Sequence, residues 1–257
     1  MTNRTILDTI NDPEVVQRLT TRRDMVRGGG RAAGAAALAS VPVMLAMTAR
    51  RAFAQGIPQI IVDTLNFALT LEYLEDEFYR TGISTAGLIP AADREIFQQI
   101  SLHETAHVAL LRGALGAAAV AKPTFDFTAR GTFDTFRTYA TFQALAQGFE
   151  DTGVRAYKGQ ATNLMSDDAT LTIALRIHSV EARHAAEVRR LRGQKGWISG
   201  NQTDVAALAA VYAGDEITTQ LGIDTAQFGN TTSASEAFDE PLSKAAVLAI
   251  AGQFIVG

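Results

Sequence analysis

Cysteine is absent from all 257 residues. That excludes disulfides, Cys-ligated zinc, iron–sulfur clusters and a thiol nucleophile. Proline is scarce, at 6, and tryptophan occurs once, while 47% of the residues are hydrophobic. Such a chain is neither collagen-like nor too polar to build a core. A cationic surplus is missing too. The formal net charge is −4 and the pI is about 5.6, so there is no overall basic footprint for nucleic acid.

Charge is also missing from Ala32 to Ala49, where Ala, Val, Leu and Met dominate. Thr21-Arg22-Arg23-Asp24-Met25-Val26-Arg27 precedes this run, and Arg50-Arg51 and Ala52-Phe53-Ala54 follow it. A charged start, a short apolar run and an A-x-A site make residues 1–54 read as a secretory signal. The paired arginines and the weakly hydrophobic run resemble signals of the bacterial twin-arginine route. That resemblance implies a periplasmic or otherwise exported protein. The alternative is a retained anchor, since 18 residues lie at the lower edge of a bilayer span. The segment holds 8 Lys/Arg and 4 Asp/Glu. Its removal leaves 203 residues with 15 basic and 23 acidic side chains, a net charge of −8 and no further membrane span. The acidic excess therefore belongs to the folded part.

The remainder reads as helices. Over residues 57–81, Ile61, Leu65, Ala68, Leu69, Glu72, Leu74 and Phe78 recur at three- and four-residue steps, and Gly82 is a stop signal. Gly87 and Pro90 mark a connection over 83–92. A second helix begins near Ala91 to Asp93 and runs to about Ala119. Residues 120–133, with Pro123 and Gly131, form a long link. Asp134 is a candidate N-cap for a third helix ending near Asn163. Ser166-Asp167-Asp168 supply the cap and acidic first turn of a fourth, which reaches about Gly193. Beyond Trp197 the pattern weakens. Asp204–Leu221 fits a shorter helix, Gly222–Glu240 a loop, and Ser243 caps a terminal helix through Phe254. No stretch shows the period-2 alternation of several strands, so the expected class is all-α. The expected division is a bundle over 55–197 and an extension over 198–257, with one or two helices packing on the bundle.

Within the helices the ionisable residues repeat. Glu72 is followed by Glu104-Thr-Ala-His107, and Glu150 by Glu181-Ala-Arg-His184. A Tyr lies nearly two turns after each lone Glu, at Tyr79 and Tyr157, on the same helix face. Residues equidistant from a turn reach one level in a helical hairpin. The midpoints of both Glu-to-Glu intervals, 88 and 165.5, fall inside the proposed connections. Each E-x-x-H also places its Glu and His on one face. If a two-fold axis relates the halves, the link must span a helix of about 37 Å, from roughly 1.5 Å per residue. Fourteen extended residues reach about 46 Å, from roughly 3.3 Å each. A lone E-x-x-H is usually a surface pair. Two of them, each with a partner Glu at matching height, point to a dinuclear metal site. Four carboxylates and two imidazoles suit iron or manganese, and two divalent cations balance the four negative charges.

LNFALTLEYLEDEFY in the first helix, with HETAHV and HSVEARHA later, resembles the ferritin-like superfamily, most of all the group that includes bacterial and plant desiccation-related proteins. The resemblance spans about residues 57–193. It implies a ferritin-like four-helix bundle with a long crossover between helices two and three, plus a C-terminal helical extension. It further implies terminal ligands at Glu72 and Glu150, bridging ligands at Glu104 and Glu181, and one imidazole per metal from His107 and His184. Tyr79 and Tyr157 would donate hydrogen bonds to these ligands. The cofactor would be two Fe or two Mn ions, or a mixed pair. Glu75, one turn after Glu72, is an optional extra ligand, as similarly placed carboxylates are in rubrerythrins; its counterpart in the second half is Gly153. His178 is a weaker candidate. His103 lies about 100° around the helix from Glu104 and is expected outside the site.

The absence of Cys removes the rubredoxin iron of rubrerythrins, and nothing in the terminal segment signals a ferritin cage. The expected function is an exported di-metal oxidoreductase reacting with O2 or H2O2 as a ferroxidase, peroxidase or catalase-like protein. The alternative is a stress-protective or binding module without turnover. Either is compatible with a homo-oligomer. Fused to a reporter, residues 1–54 are expected to direct export with cleavage before Gln55. Arg22→Lys with Arg23→Lys is expected to abolish it, as read by cell fractionation and N-terminal sequencing.

Overall fold

The computed structural model describes residues 58–256. The expected export segment, 1–54, lies outside the described residues. Four long helices dominate. Helix α1 spans Gln59–Ser84 and α2 Ala91–Leu115, each entered from a proline, Pro58 and Pro90. A proline there loses nothing, because the first N–H groups of a helix have no partner within it. Helix α3 spans Tyr139–Gln160 and α4 Asp168–Leu191. The Asp167 carboxylate caps α4 by accepting from the Thr170 backbone N–H at 2.7 Å. Helix α1 lies mainly against α2, and α3 against α4, as their short connections require. Among the described residues no helix is long and apolar enough to cross a membrane.

Several boundaries differ from the sequence expectation, each for a local reason. Helix α1 continues past Gly82, because a close approach uses that glycine. A Cβ there would stand 2.2 Å from a ring carbon of Phe142 in α3. Helix α2 stops at Leu115 rather than near Ala119, since Gly116 takes a left-handed φ of 56°. Helix α3 begins at Tyr139, not after Asp134. Thr138 is the cap, and the Asp134 carboxylate instead accepts from the Thr141 hydroxyl at 2.6 Å.

The crossover between α2 and α3 is fastened by the end of the chain. Strand β1, Thr124–Phe125, pairs antiparallel with β4, Ile255–Val256. A second short ladder joins β2, Thr219–Gln220, to β3, Ile223–Asp224. Between residues 204 and 221 the expected helix shrinks to α5, Ala209–Tyr212, after one tight turn at Ala206–Leu208. The cause is Arg155 of α3, whose side chain is wholly buried. Its guanidinium donates to the Val211 and Ala213 carbonyls, the latter at 2.8 Å, so those oxygens do not accept from the next helical turn. Helices α6, Thr231–Ser235, and α7, Lys244–Ala251, follow. Ser243 caps α7 as expected, by accepting from Ala246 N–H at 3.2 Å. The helix ends three residues before Phe254, because that ring turns into the core and lies 4.9 Å from Phe149.

The core at this end is aromatic. Phe78 stacks on Phe142 at 4.8 Å and meets Phe127 and Phe149 at 5.5 and 5.0 Å. Val247, Ile250 and Phe254 of the extension are buried in the same cluster. Arg155 completes the attachment by donating to the Glu240 carbonyl at 2.6 Å and standing 3.5 Å from the buried Asp215 carboxylate. Arg155→Met leaves that carboxylate without its cation and three carbonyls without their donor. It is expected to cost about 3–5 kcal/mol in denaturant unfolding. Limited proteolysis is expected to cut first within residues 198–256.

Candidate metal centre

The repeated acids and histidines converge at the middle of the bundle. Apolar neighbours on the inward faces of α1–α4 carry them there, and the helical period keeps each E-x-x-H pair pointing the same way. Glu72, Glu104, Glu150 and Glu181 are fully buried, while His107 and His184 keep 8% and 5% of their surface. His107 Nδ1 lies 3.2 Å from Glu72, 3.1 Å from Glu104 and 3.0 Å from Glu181. His184 Nδ1 lies 2.9 Å from Glu104, 3.3 Å from Glu150 and 3.4 Å from Glu181. Two four-residue donor groups result. One is Glu72, Glu104, His107 and Glu181; the other is Glu104, Glu150, Glu181 and His184. In each, the donor atoms lie within 4.8 Å of one another. Glu104 and Glu181 belong to both.

His107 Nδ1 is hydrogen-bonded to Glu72 and Glu104, but other donor atoms approach without satisfying each other. Glu104 Oε1, Glu150 Oε2, both Glu181 oxygens and His184 Nδ1 are buried and have no hydrogen-bond partner. Buried polar atoms without partners are rare, and a cluster of them needs a cation or a proton. Hard oxygen and imidazole donors converging on one centre fit metal ions.

Protons take that role when no metal is bound. Burial raises the Glu72 carboxyl from its ordinary 4.5 to about 8, with His107 opposing and Glu181 and Glu104 adding to the rise. Burial also drives Glu150 up against the pull of His184. Glu181 goes the other way. Burial opposes its charge, but contacts with both imidazoles outweigh burial and hold it low. The imidazoles are held protonated: burial disfavours their charge, and the surrounding carboxylates overcome it.

The tyrosines are crosswise. Each was expected to donate to the ligand set, and each donates to the Glu of the facing helix: the Tyr79 hydroxyl of α1 to Glu150 of α3 at 2.5 Å, and the Tyr157 hydroxyl of α3 to Glu72 of α1. Sharing a face with a Glu aims the phenol into the bundle, and its length carries it to the facing helix. Glu75 is buried but belongs to neither donor group. One of its oxygens fills the space over Gly153, 3.3 Å from where a Cβ would stand, and burial followed by the neighbouring carboxylates raises its pKa. His178 is also in neither group, and its buried Nδ1 has no partner. His103 is in neither donor group, as expected, yet its Nδ1 lies 2.8 Å from His184 Nε2. Its offset from Glu104 turns it away from the centre and toward α4, a direction that spacing along α2 alone does not interpret.

A family model described as a ferritin-like domain matches residues 61–194, more than half of the chain. The chain belongs to the ferritin-like domain family. No curated protein matches it. The matched span contains all six converging acids and histidines and both tyrosines.

Without metal, Glu72 stays protonated in the fold to about pH 8 but ionises near 4.5 when unfolded. Its contribution to stability is complete below the unfolded value and is lost as pH rises toward the folded one. The thermal midpoint of the metal-free protein is expected to fall between about pH 5 and 8. Glu72→Gln is expected to flatten that fall, as followed by circular dichroism.

Proposed function

We propose that this member of the ferritin-like domain family holds two iron or two manganese ions, or one of each, and acts as an exported oxidoreductase on O2 or H2O2. The observation that carries this reading is the overlap of two buried donor groups that share Glu104 and Glu181. Two divalent cations would neutralise the four carboxylates, which a single cation would not. When bound, the metals would supply the redox chemistry with the oxidant.

The protein's own part is positional. Glu104 and Glu181 occupy the shared position, Glu72 and Glu150 the outer ones, and each histidine closes one half. Tyr157 and Tyr79 hold the outer carboxylates by their free oxygens and leave the others directed inward. Full burial of the four carboxylates keeps bulk water from them, so their charge depends on the cations that would bind there. Export by the twin-arginine route is supported by the Arg22-Arg23 pair and the apolar run behind it. A route for folded proteins would allow metal loading before export.

Anaerobic reconstitution with Fe2+ or Mn2+, followed by metal analysis, tests the site. About two ions per chain are expected, against fewer than about 0.2 in Glu104→Ala combined with His184→Ala. Addition of O2 or H2O2 is expected to change the optical spectrum of the loaded protein and to consume oxidant faster than free metal does. Normal loading without consumption would favour a binding or protective module.

A further inference from the structure

The two halves of the centre repeat each other in their six donors but differ at neighbouring positions: Glu75 faces Gly153, and a second difference lies behind the histidines. His184 turns Nδ1 toward the carboxylates and Nε2 toward His103 Nδ1, 2.8 Å away across the α2–α4 seam. The two rings are nearly coplanar, 11° apart with centroids 5.1 Å apart, so they meet edge to edge along the N···N line. The far nitrogen of His103 meets the side-chain amide of the exposed Gln99 at 2.8 Å. His107 has no equivalent support. Among the described residues, none is hydrogen-bonded to its Nε2. The register that relates Glu104 to Glu181 and His107 to His184 carries His103 to Val180, which has no side-chain hydrogen-bonding atom.

An imidazole that binds a cation through Nδ1 keeps its hydrogen on Nε2. For His184 that hydrogen meets His103 Nδ1, which accepts it when His103 carries its own hydrogen on Nε2. That second hydrogen is received by the Gln99 carbonyl oxygen once the amide is turned over, and the two amide orientations occupy the same space. The chain of bonds fixes the tautomer and the ring plane of His184 and makes its Nδ1 a better donor. His107 must hold both without help.

We infer that the two halves are inequivalent: His103 is a positioning residue that makes the half built on Glu104, Glu150, Glu181 and His184 the tighter metal site. This rests on the metal-centre reading above. Partners behind a ligating imidazole are worth about 10- to 100-fold in affinity, and the same factor is expected between the halves.

The test isolates each half in the full chain and uses Co2+ as an optical and calorimetric probe. His107→Ala leaves the supported half, and His184→Ala the unsupported one. The His107→Ala protein is expected to bind Co2+ about 10- to 100-fold more tightly. Adding His103→Leu is expected to remove that advantage in His107→Ala and to leave the affinity of His184→Ala unchanged. His103→Asn, which retains an acceptor oxygen, is expected to restore part of it. Val180→His is expected to tighten binding in the His184→Ala background. Equal affinities in the two single variants, or an equal effect of His103→Leu in both, overturn the inference and leave the metal centre standing. Failure of the unaltered protein to bind Co2+, Fe2+ or Mn2+ overturns the metal centre and the inference with it.

Discussion

Four carboxylates stand at the centre of this bundle with no solvent to hydrate them, and everything around them is arranged to make that tolerable. Isolated, each such group would be strongly destabilised in a medium as poor in water as a helix-bundle interior. Here the mutual repulsion is relieved in three ways. Two imidazoles touch three carboxylates each. Two phenols hold the outer pair. Protons remain on the most deeply penalised groups until cations replace them. The donors that remain unpaired at the centre all face the same small volume, an arrangement compatible with metal binding.

The rest of the chain serves rigidity. The aromatic cluster around Phe78 and Phe142 closes one end of the bundle, and Gly82 permits its closest contact. Arg155 ties the extension to α3 through three carbonyls and Asp215. Beside it, Asp151 accepts from Arg189 at 3.2 Å and from Tyr212 at 2.9 Å, so α3, α4 and α5 share one buried polar network. Asp151 follows Glu150 directly in α3. The network therefore stiffens the backbone that carries an outer carboxylate, and the extension thereby bears on the centre without reaching it.

Much of the framework could be read from spacing. The four helices, the long crossover, the caps at Asp167 and Ser243 and the convergence of six donors all follow from local rules: a 3.6-residue period, turn chemistry and equal distances from a hairpin turn. The same rules misjudged Gly82, which breaks helices in general but here lies under an aromatic ring. They overextended the helix after Asp204, because no local signal announces that a guanidinium from residue 155 will claim the carbonyls of 211 and 213.

What lay beyond such rules was every sideways pairing between helices remote in the chain. Tyr79 with Glu150, Tyr157 with Glu72 and His184 with His103 depend on which faces meet across the bundle. Periodicity sets the face a side chain leaves from and the height at which it sits. It says nothing of the neighbour it meets. That choice belongs to the packing of whole helices, whose angles and offsets come from the fit of all their buried side chains at once. The ligand types and their common level are therefore properties of the linear order, while the pairing of His103 with His184 exists only once α2 and α4 lie side by side.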